Sequence, residues 1–427
     1  MQPQSPEFPD LDLAALAANA SCLDDYDPNA MSVTQARHYI EQFLSPVSET
    51  ATVAIKDSLG RVLAVPVTSS LNVPGHDNSA MDGFAFRHAE AGNALRIIGT
   101  AFAGVPYTAE IPPGCCIKIM TGAVIPASVD TVIMQEHTAT QGEWVTLSKL
   151  PALGANIRLT GEDIAAGQTV LARGHKVQPA DMGLLASLGI AEIEVYRKLK
   201  VAFFSTGDEL VSVGQPLQQG QIYDSNRYSL WGVLQAAGVE MHDLGNVADD
   251  PAALEKTLLQ AAAEHDVVIT TGGVSVGEAD FMKQLLAEHG QVLFWKINMK
   301  PGRPLAYGKI GNAHYFGLPG NPVSAMVTFY QFVQDALKHL AGSASLVRPT
   351  FKVECVDAIK KATGRTEFQR GILFKQGADW KVKTTGQQGS GILSSMSLAN
   401  CFIVLDEKTG ALPAGALVDV QPFHGAC

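Results

Sequence analysis

From Lys198 onward the chain alternates between two periods, and this alternation constrains the fold more than any other feature. The short apolar runs KVAFFST, VEMHDLG, HDVVITT, VLFWKIN and HYFGL are separated by stretches of helical spacing. Runs that are apolar on both faces suit strands covered on both sides, and β-α-β order joins such strands in parallel. The expectation is a three-layer α/β/α domain. Helix starts are written into the text. Asp224 or Ser225 caps a helix reaching Ala237, and Asp249-Asp250-Pro251 opens the next with an acidic cap and an early proline. A helix follows over residues 280–289, and Asn321-Pro322 starts a long one ending near Leu340.

The whole chain has 427 residues, too many for one core, so further domains are expected around this one. Residues 1–28, rich in Pro, Asp and Ala, read as a mobile extension with a short helical stretch from Leu11 to Ala18. Residues 29–48 hold a helix, capped by Ser32 or Thr34, that packs on the α/β domain. Residues 49–67 and 168–197 form a linker domain. In it TVAIKDSLGRVLAVPVTS reads as a strand pair turning at Ser58-Leu59-Gly60, and Ala180 to Leu188 as a helix. Residues 68–167 carry short strands between Gly, Pro and Asp and read as an inserted β domain. The α/β domain spans 198–347, and 348–427 reads as a C-terminal β-barrel.

Charge narrows the partners. Net charge is −11, with no run of Lys or Arg, which argues against a broad nucleic-acid surface. No stretch reaches the ~18 apolar residues of a membrane span. The first residues lack the basic start of a secretory signal. Six cysteines without a C-x-x-C pair read as reduced thiols of a cytoplasmic protein.

Ligands of open α/β sheets bind beyond the carboxyl ends of the strands, and four unusual loops fall there. Ser205-Thr206-Gly207-Asp208-Glu209 places two acids after a strand, where they either hold Mg²⁺ or cap a helix. TTGGVSVGEAD, from Thr270 to Asp280, has the glycines for an anion nest at Gly272, Gly273 and Gly277, with Ser275 between them. It is neither a Walker A loop nor a dinucleotide fingerprint. Lys296, Lys300 and Arg303 form a basic loop stiffened by two prolines, suited to phosphate or oxyanion. Pro319 and Pro322 bracket a rigid strand-to-helix turn. Together the loops suit a phosphorylated ligand with Mg²⁺, and this physical reading stops short of naming it.

The strings VPGHDNSAMDGFAF (73–86), IKIMTGAVIP (117–126), GEDI (161–164), FSTGDEL, IYDSNR, TGGVSVGEADF, KPGRPLAYG, GLPGNPVSA and TTGQQGS closely resemble the molybdopterin molybdotransferase family, which includes MoeA and the C-terminal domain of gephyrin. They occur in the family's order from about Met31 to the C-terminus. One departure is NIRLTGEDI, where Arg158 stands alone in place of the family's frequent basic run.

The resemblance implies a homodimer whose α/β domain is of the pterin-binding adenylyltransferase type. It implies Mg²⁺-dependent insertion of molybdenum from molybdate into adenylylated molybdopterin, with release of AMP. Carried over residue by residue, Asp82, Thr121, Asp163, Glu209, Asp249 and Asp280 become catalytic candidates, with Glu209 and Asp280 as metal ligands. Lys296, Lys300 and Arg303 neutralise the anions, Pro319 and Pro322 shape the molybdate side, and Arg370 and Ser390 match positions the family uses. Asp82, Thr121 and Asp163 would reach the site of the partner subunit. Further partners implied are the adenylyltransferase and cofactor-accepting molybdoenzymes. Two other functions compete: the adenylyltransferase step itself, and a non-catalytic scaffold or carrier of the cofactor.

Overall fold

The computed structural model describes residues 30–272, 288, 290–346 and 348–423, of which 290–295 by backbone alone. The described chain forms two compact units. One is Thr52–Val195; the other joins the segment ending at Ala51 to the segment starting at Tyr196.

The second of these units contains the α/β sheet. Its strands are β1 (Lys200–Thr206), β2 (Glu240–Val247), β3 (Val267–Thr271), β4 (Gly290–Lys296), β5 (Pro304–Ile310) and β6 (Ala313–Leu318), in the order β2-β1-β3-β6-β5-β4. The first four run parallel, β5 runs antiparallel to β6, and β4, antiparallel to β5, resumes the common direction. A bulge interrupts the β1–β2 register between Phe203 and Ser205. Alternate residues of β1 serve opposite faces, as a pleated strand requires. Val201 and Phe203 pack into a core with Leu230 and Leu234, while Ala202 and Phe204 pack with Leu254, Leu258 and Ala261. Each fully buried Leu or Phe contributes about 1.5–3 kcal/mol.

The helices begin where capping chemistry places them. The helix α1 (Val33–Phe43) starts with a capping box between Ser32 and Gln35 and buries Val33, Ala36, Tyr39 and Ile40 in the first core. Asp224 caps α2 (Ser225–Ala237), accepting from the Arg227 N–H, and Asp250 caps α3 (Pro251–Glu264) with Pro251 in the first turn. After β6, α4 (Pro322–Thr328) runs through a π turn at Phe329–Val333 into α5 (Gln334–Leu340).

The same unit ends in a closed barrel. Its strands are β7 (Phe351–Cys355), β8 (Thr366–Gln376), β9 (Asp379–Thr384), β10 (Cys401–Leu405) and β11 (Leu417–Pro422). They pair as β8-β9-β7-β11-β10, and β10 returns to β8. Val353, Val382, Ile403 and Val420 fill the interior. The two-residue strand Met299–Lys300 lies parallel to β8, so the basic loop of the α/β sheet is held by the barrel.

In the Thr52–Val195 unit a six-stranded mixed sheet runs Thr131–Met134, Gly83–Phe86, Cys115–Ile119, Leu95–Ala101, Trp144–Leu147, Thr138–Gln141. It is covered on both faces, by Ala85, Ile117 and Val132 on one and Phe84, Phe86 and Ile133 on the other. The expected strand pair after residue 49 does not form. Thr50–Ala54 pairs with Glu192–Tyr196, and Val67–Thr68 pairs with Thr169–Leu171. The helix expected at Ala180 to Leu188 spans Pro179–Ser187.

Candidate functional site

The α/β sheet reverses direction of growth between β1 and β3, and a crevice outside such a point is the usual ligand position. There the strand ends touch. A Cβ at Gly272, whose φ is +90°, would stand 2.3 Å from the carbonyl oxygen of Thr206, so only glycine lets these two loops meet. Asn226, at the start of α2, donates from Nδ2 to Thr271 Oγ1 at 2.8 Å and to the Gly320 carbonyl at 2.7 Å. Thr271 Oγ1 in turn donates to the Pro319 carbonyl at 3.2 Å. Ser205 Oγ donates to Asp224, which ties the same helix start to β1. The ends of β1, β3 and β6 are thereby fixed against one another.

Oxygen donors gather at the ends of β1 and β2. Thr206 Oγ1 donates to Asp249 Oδ1 at 3.4 Å. The carboxylate of Glu209 folds back over Gly207, where a Cβ would meet its Oε2 at 2.7 Å. Glu209 is exposed and Asp249 half-buried. Two carboxylates and a hydroxyl, with no sulfur or imidazole, are the donor type magnesium takes. Among the described residues no group of three His, Cys, Asp or Glu converges as a full coordination shell. Asp280, Gly273, Ser275 and Gly277 lie outside the described residues.

A separate cavity of about 330 Å³ opens where the basic loop, the β6–α4 turn and the barrel meet. Lys300, Arg303 and Arg365 bring cations to its wall. Pro319, Asn321, Ser324, Gln388 and Ser390 add rigid backbone and neutral hydrogen-bonding groups. The basic loop is fixed at both ends: Ile297 N–H donates to the Arg303 carbonyl at 2.7 Å, and Asn298 Nδ2 donates to the Gly364 carbonyl at 2.7 Å. Gly302, at φ +94°, packs so closely on α4 that a Cβ would lie 2.6 Å from Thr328 Oγ1.

Four of the residues singled out from sequence therefore line one cavity: Lys300, Arg303, Pro319 and Ser390. Lys296, at the end of β4, and Pro322, the first residue of α4, belong to the flanking elements and are not among its lining residues.

Arg370 stands behind the cavity. It is 1% exposed, and its guanidinium donates to Ser395 Oγ at 3.0 Å and to the Gly389 carbonyl at 3.1 Å. Its backbone N–H donates to Gln388 Oε1 at 2.8 Å. Burial draws its pKa down to about 10, with Glu367 opposing the shift. Arg370 thus holds the Gln388–Ser390 loop in place from inside. Val323 N–H, in the first turn of α4, donates to the Ser390 carbonyl at 3.1 Å, joining that loop to the α/β sheet.

The remaining candidates lie in the Thr52–Val195 unit. Asp82 Oδ1 accepts from both the N–H and the hydroxyl of Thr121, each at 2.7 Å. These two bonds hold its carboxyl below the usual range, the backbone one contributing most. Sequence reading missed the twin of this clamp. Asp77 Oδ1 accepts from Thr160 N–H at 2.7 Å and from its hydroxyl at 2.8 Å, with the same lowering and the same leading cause. Thr160 stands in the segment where the family's basic run is replaced, so a neutral hydroxyl secures this loop. The loop carries Asp163, which is exposed and whose N–H donates to the Val73 carbonyl at 3.1 Å.

Comparison with known proteins covers nearly all of the described chain. Residues 31–189 match the MoeA N-terminal region (domain I and II), 202–339 a probable molybdopterin binding domain, and 352–423 the MoeA C-terminal region (domain IV). The chain is 45% identical to a molybdopterin molybdenumtransferase of Haemophilus influenzae, across 92% of this chain and 99% of that one. It is 38% identical to a molybdopterin molybdenumtransferase of Nostoc sp., across 81% of this chain and 82% of the relative. A crystal structure of the molybdopterin biosynthesis MoeA protein of Pyrococcus horikoshii OT3 superposes with a TM-score of 0.82 at 29% identity, covering 92% of this chain and all of that one.

Proposed function

The chain belongs to the molybdopterin molybdenumtransferase family, and from that premise we propose that it inserts molybdenum from molybdate into adenylylated molybdopterin with release of AMP. It is a transferase of molybdenum-cofactor biosynthesis. The observation that carries the finer reading is the cavity lined by Lys300, Arg303, Arg365 and Ser390, beside strand ends closed by Gly272 and Asn226. The cavity's cations and fixed backbone suit a tetrahedral oxyanion, with arginine as a fork and lysine as a point charge.

The work then divides among the residues. Lys300 and Arg303 hold molybdate, and Arg370 keeps the Ser390 loop from yielding when the anion enters. The strand-end loops hold the pyrophosphate of the adenylylated pterin, so that a molybdate oxygen attacks the pterin phosphorus in line and AMP departs as its bond to that phosphorus breaks. The two dithiolene sulfurs then bond molybdenum as one oxide leaves with the thiol protons as water, and a second water cleaves the phosphate–molybdate link. Lys296 neutralises charge as AMP leaves. Glu209 and Asp280 would hold Mg²⁺, with Asp249 held at the end of β1 by Thr206. When bound, the ion polarises the pyrophosphate oxygens. Asp82, Thr121 and Asp163 serve the site of the partner subunit of the homodimer, with Asp82 kept ionised by Thr121. A homodimer belongs to the same reading, supported by exposed apolar side chains at Ile222, Tyr223, Tyr228 and Trp231. A cytoplasmic location is supported by the free thiols of Cys115, Cys116, Cys355 and Cys401.

The test is AMP release from adenylylated molybdopterin with Mg²⁺, with and without molybdate. Release that depends on molybdate and leaves molybdenum on the pterin is expected. Tight binding of the pterin with no release at any molybdate concentration would move the protein to the scaffold class.

A further inference from the structure

Beside the cations of the cavity sits a carboxylate that anion binding does not call for. Glu367 lies on β8, paired in register with Lys300. It is 6% exposed. Its Oε1 stands 3.5 Å from Lys300 Nζ, and its Oε2 accepts from Gln369 Nε2 at 2.8 Å. Gln369 Nε2 is itself fixed on the Lys360 carbonyl at 3.1 Å. The negative charge therefore has a set position.

Three cations share its field, and they differ in freedom. Lys361 Nζ donates to the carbonyls of Ala362 and Thr409, and Arg370 donates to Ser395 and Gly389. Burial lowers the pKa of both, and Glu367 opposes that lowering in both. Neither can leave its partners without stranding a buried charge. Lys300 is different. Its side chain is 58% exposed, and it both lines the cavity and contacts Glu367.

We propose that Glu367 sets the oxyanion affinity of the cavity by competing with the incoming anion for Lys300. It touches no reacting atom and acts through the lysine, as a positioning residue. An empty cavity keeps Lys300 paired with Glu367. An arriving oxyanion draws the ammonium away, against the attraction of the Glu367 carboxylate. The anion is held less tightly than three cations alone would hold it, and it leaves more readily. This rests on the reading of the cavity as the molybdate site.

The sign of the effect is distinctive. Removing charges around an anion site usually weakens it, whereas Glu367→Gln should tighten it. The lysine end of the pair is open to solvent, which limits the pair to about 1 kcal/mol, so the expected gain is about fivefold. Titration calorimetry of the full-length protein with sodium molybdate, at fixed ionic strength and with Mg²⁺, reads this directly. Glu367→Gln should lower the Kd for molybdate about fivefold, and lower the molybdate KM for AMP release without raising kcat. Lys300→Met should weaken binding, and adding Glu367→Gln to Lys300→Met should recover little, because no lysine remains to be freed.

A folded Glu367→Gln protein that binds molybdate equally well or more weakly overturns the proposal. Should that variant not fold, Glu367→Asp keeps the charge but withdraws it by one methylene, and unchanged or weaker binding there overturns it equally. Failure of the cavity reading looks different: wild-type protein would give no molybdate heat, or Lys300→Met would bind as well as wild type, and the inference would fall with it.

Discussion

The cavity and the Asp82 clamp use opposite means to place a charge. At the cavity the decisive groups are buried: Arg370 is 1% exposed and Glu367 6%, and both are tied to side chains or backbone in the interior. In the Thr52–Val195 unit, Asp82 and Asp77 are exposed, and each is held by a single threonine through two hydrogen bonds. The first arrangement draws rigidity from the core and makes it part of stability. The second keeps a carboxylate ionised at the surface while contributing little to folding. A buried charge must be compensated to exist at all, whereas an exposed one needs only to be aimed.

Three measurements sharpen or break this contrast. Arg370→Met should have the largest effect, removing about 3 kcal/mol of stability because it strips a buried, hydrogen-bonded charge from its partners. Guanidinium denaturation reads it; a loss below about 1 kcal/mol would mean the interior network carries little. His314 comes next. It is 5% exposed, and burial lowers its pKa from 6.5 to about 4. The unfolded chain then binds a proton that the folded one refuses. This contribution is complete above pH 6.5 and is lost as pH falls toward 4, with about 2 kcal/mol gone by pH 5. His314→Gln should flatten that slope in pH-dependent denaturation, and an unchanged slope would assign it to other groups. Thr121→Val should do least. It removes the hydroxyl donor and keeps the backbone one, so the melting temperature should hold while the Asp82 carboxyl pKa rises toward its usual value. Carboxyl-carbon NMR titration detects the rise; a protein that unfolds instead would show the clamp to be part of the core.

Fold and site were unevenly legible in the amino-acid sequence, for physical reasons. The strands β1, β3 and β6 were legible because a strand covered on both faces must be apolar in a short run, β2 because strands and helices alternate around it, and their helices carried caps at Asp224 and Asp250. The strand β5 was missed: PLAYGKI follows Lys-Pro-Gly-Arg-Pro, and the prolines spoke for a loop. The pairing of Thr50–Ala54 with Glu192–Tyr196 was hidden because local alternation reveals a strand but not a distant partner. At the site, Lys300, Arg303, Pro319 and Ser390 were visible as unusual loop chemistry or by resemblance, and the structure gathers them. Glu367 gave no such signal, since a Glu within a strand carries no spacing that marks it, and Gln388 lay inside the quoted TTGQQGS string without being singled out. Asp77 could have been found, as it stands five residues before Asp82 in the same string, but nothing linked it to Thr160, 83 residues away.

The outer strand β2 has a consequence of another kind. It closes one side of the α/β sheet with Glu240, His242 and Asp243 on largely exposed positions, and a bulge opposite Phe203 to Ser205 disturbs its regular register with β1. A strand from another molecule seeking to extend the sheet there would meet charge and an irregular ladder. The barrel, being closed, offers no such margin among its five strands. At the concentrations of a crowded cell, this chain can present cation-lined and apolar surfaces for function while withholding β2 from strand-by-strand aggregation.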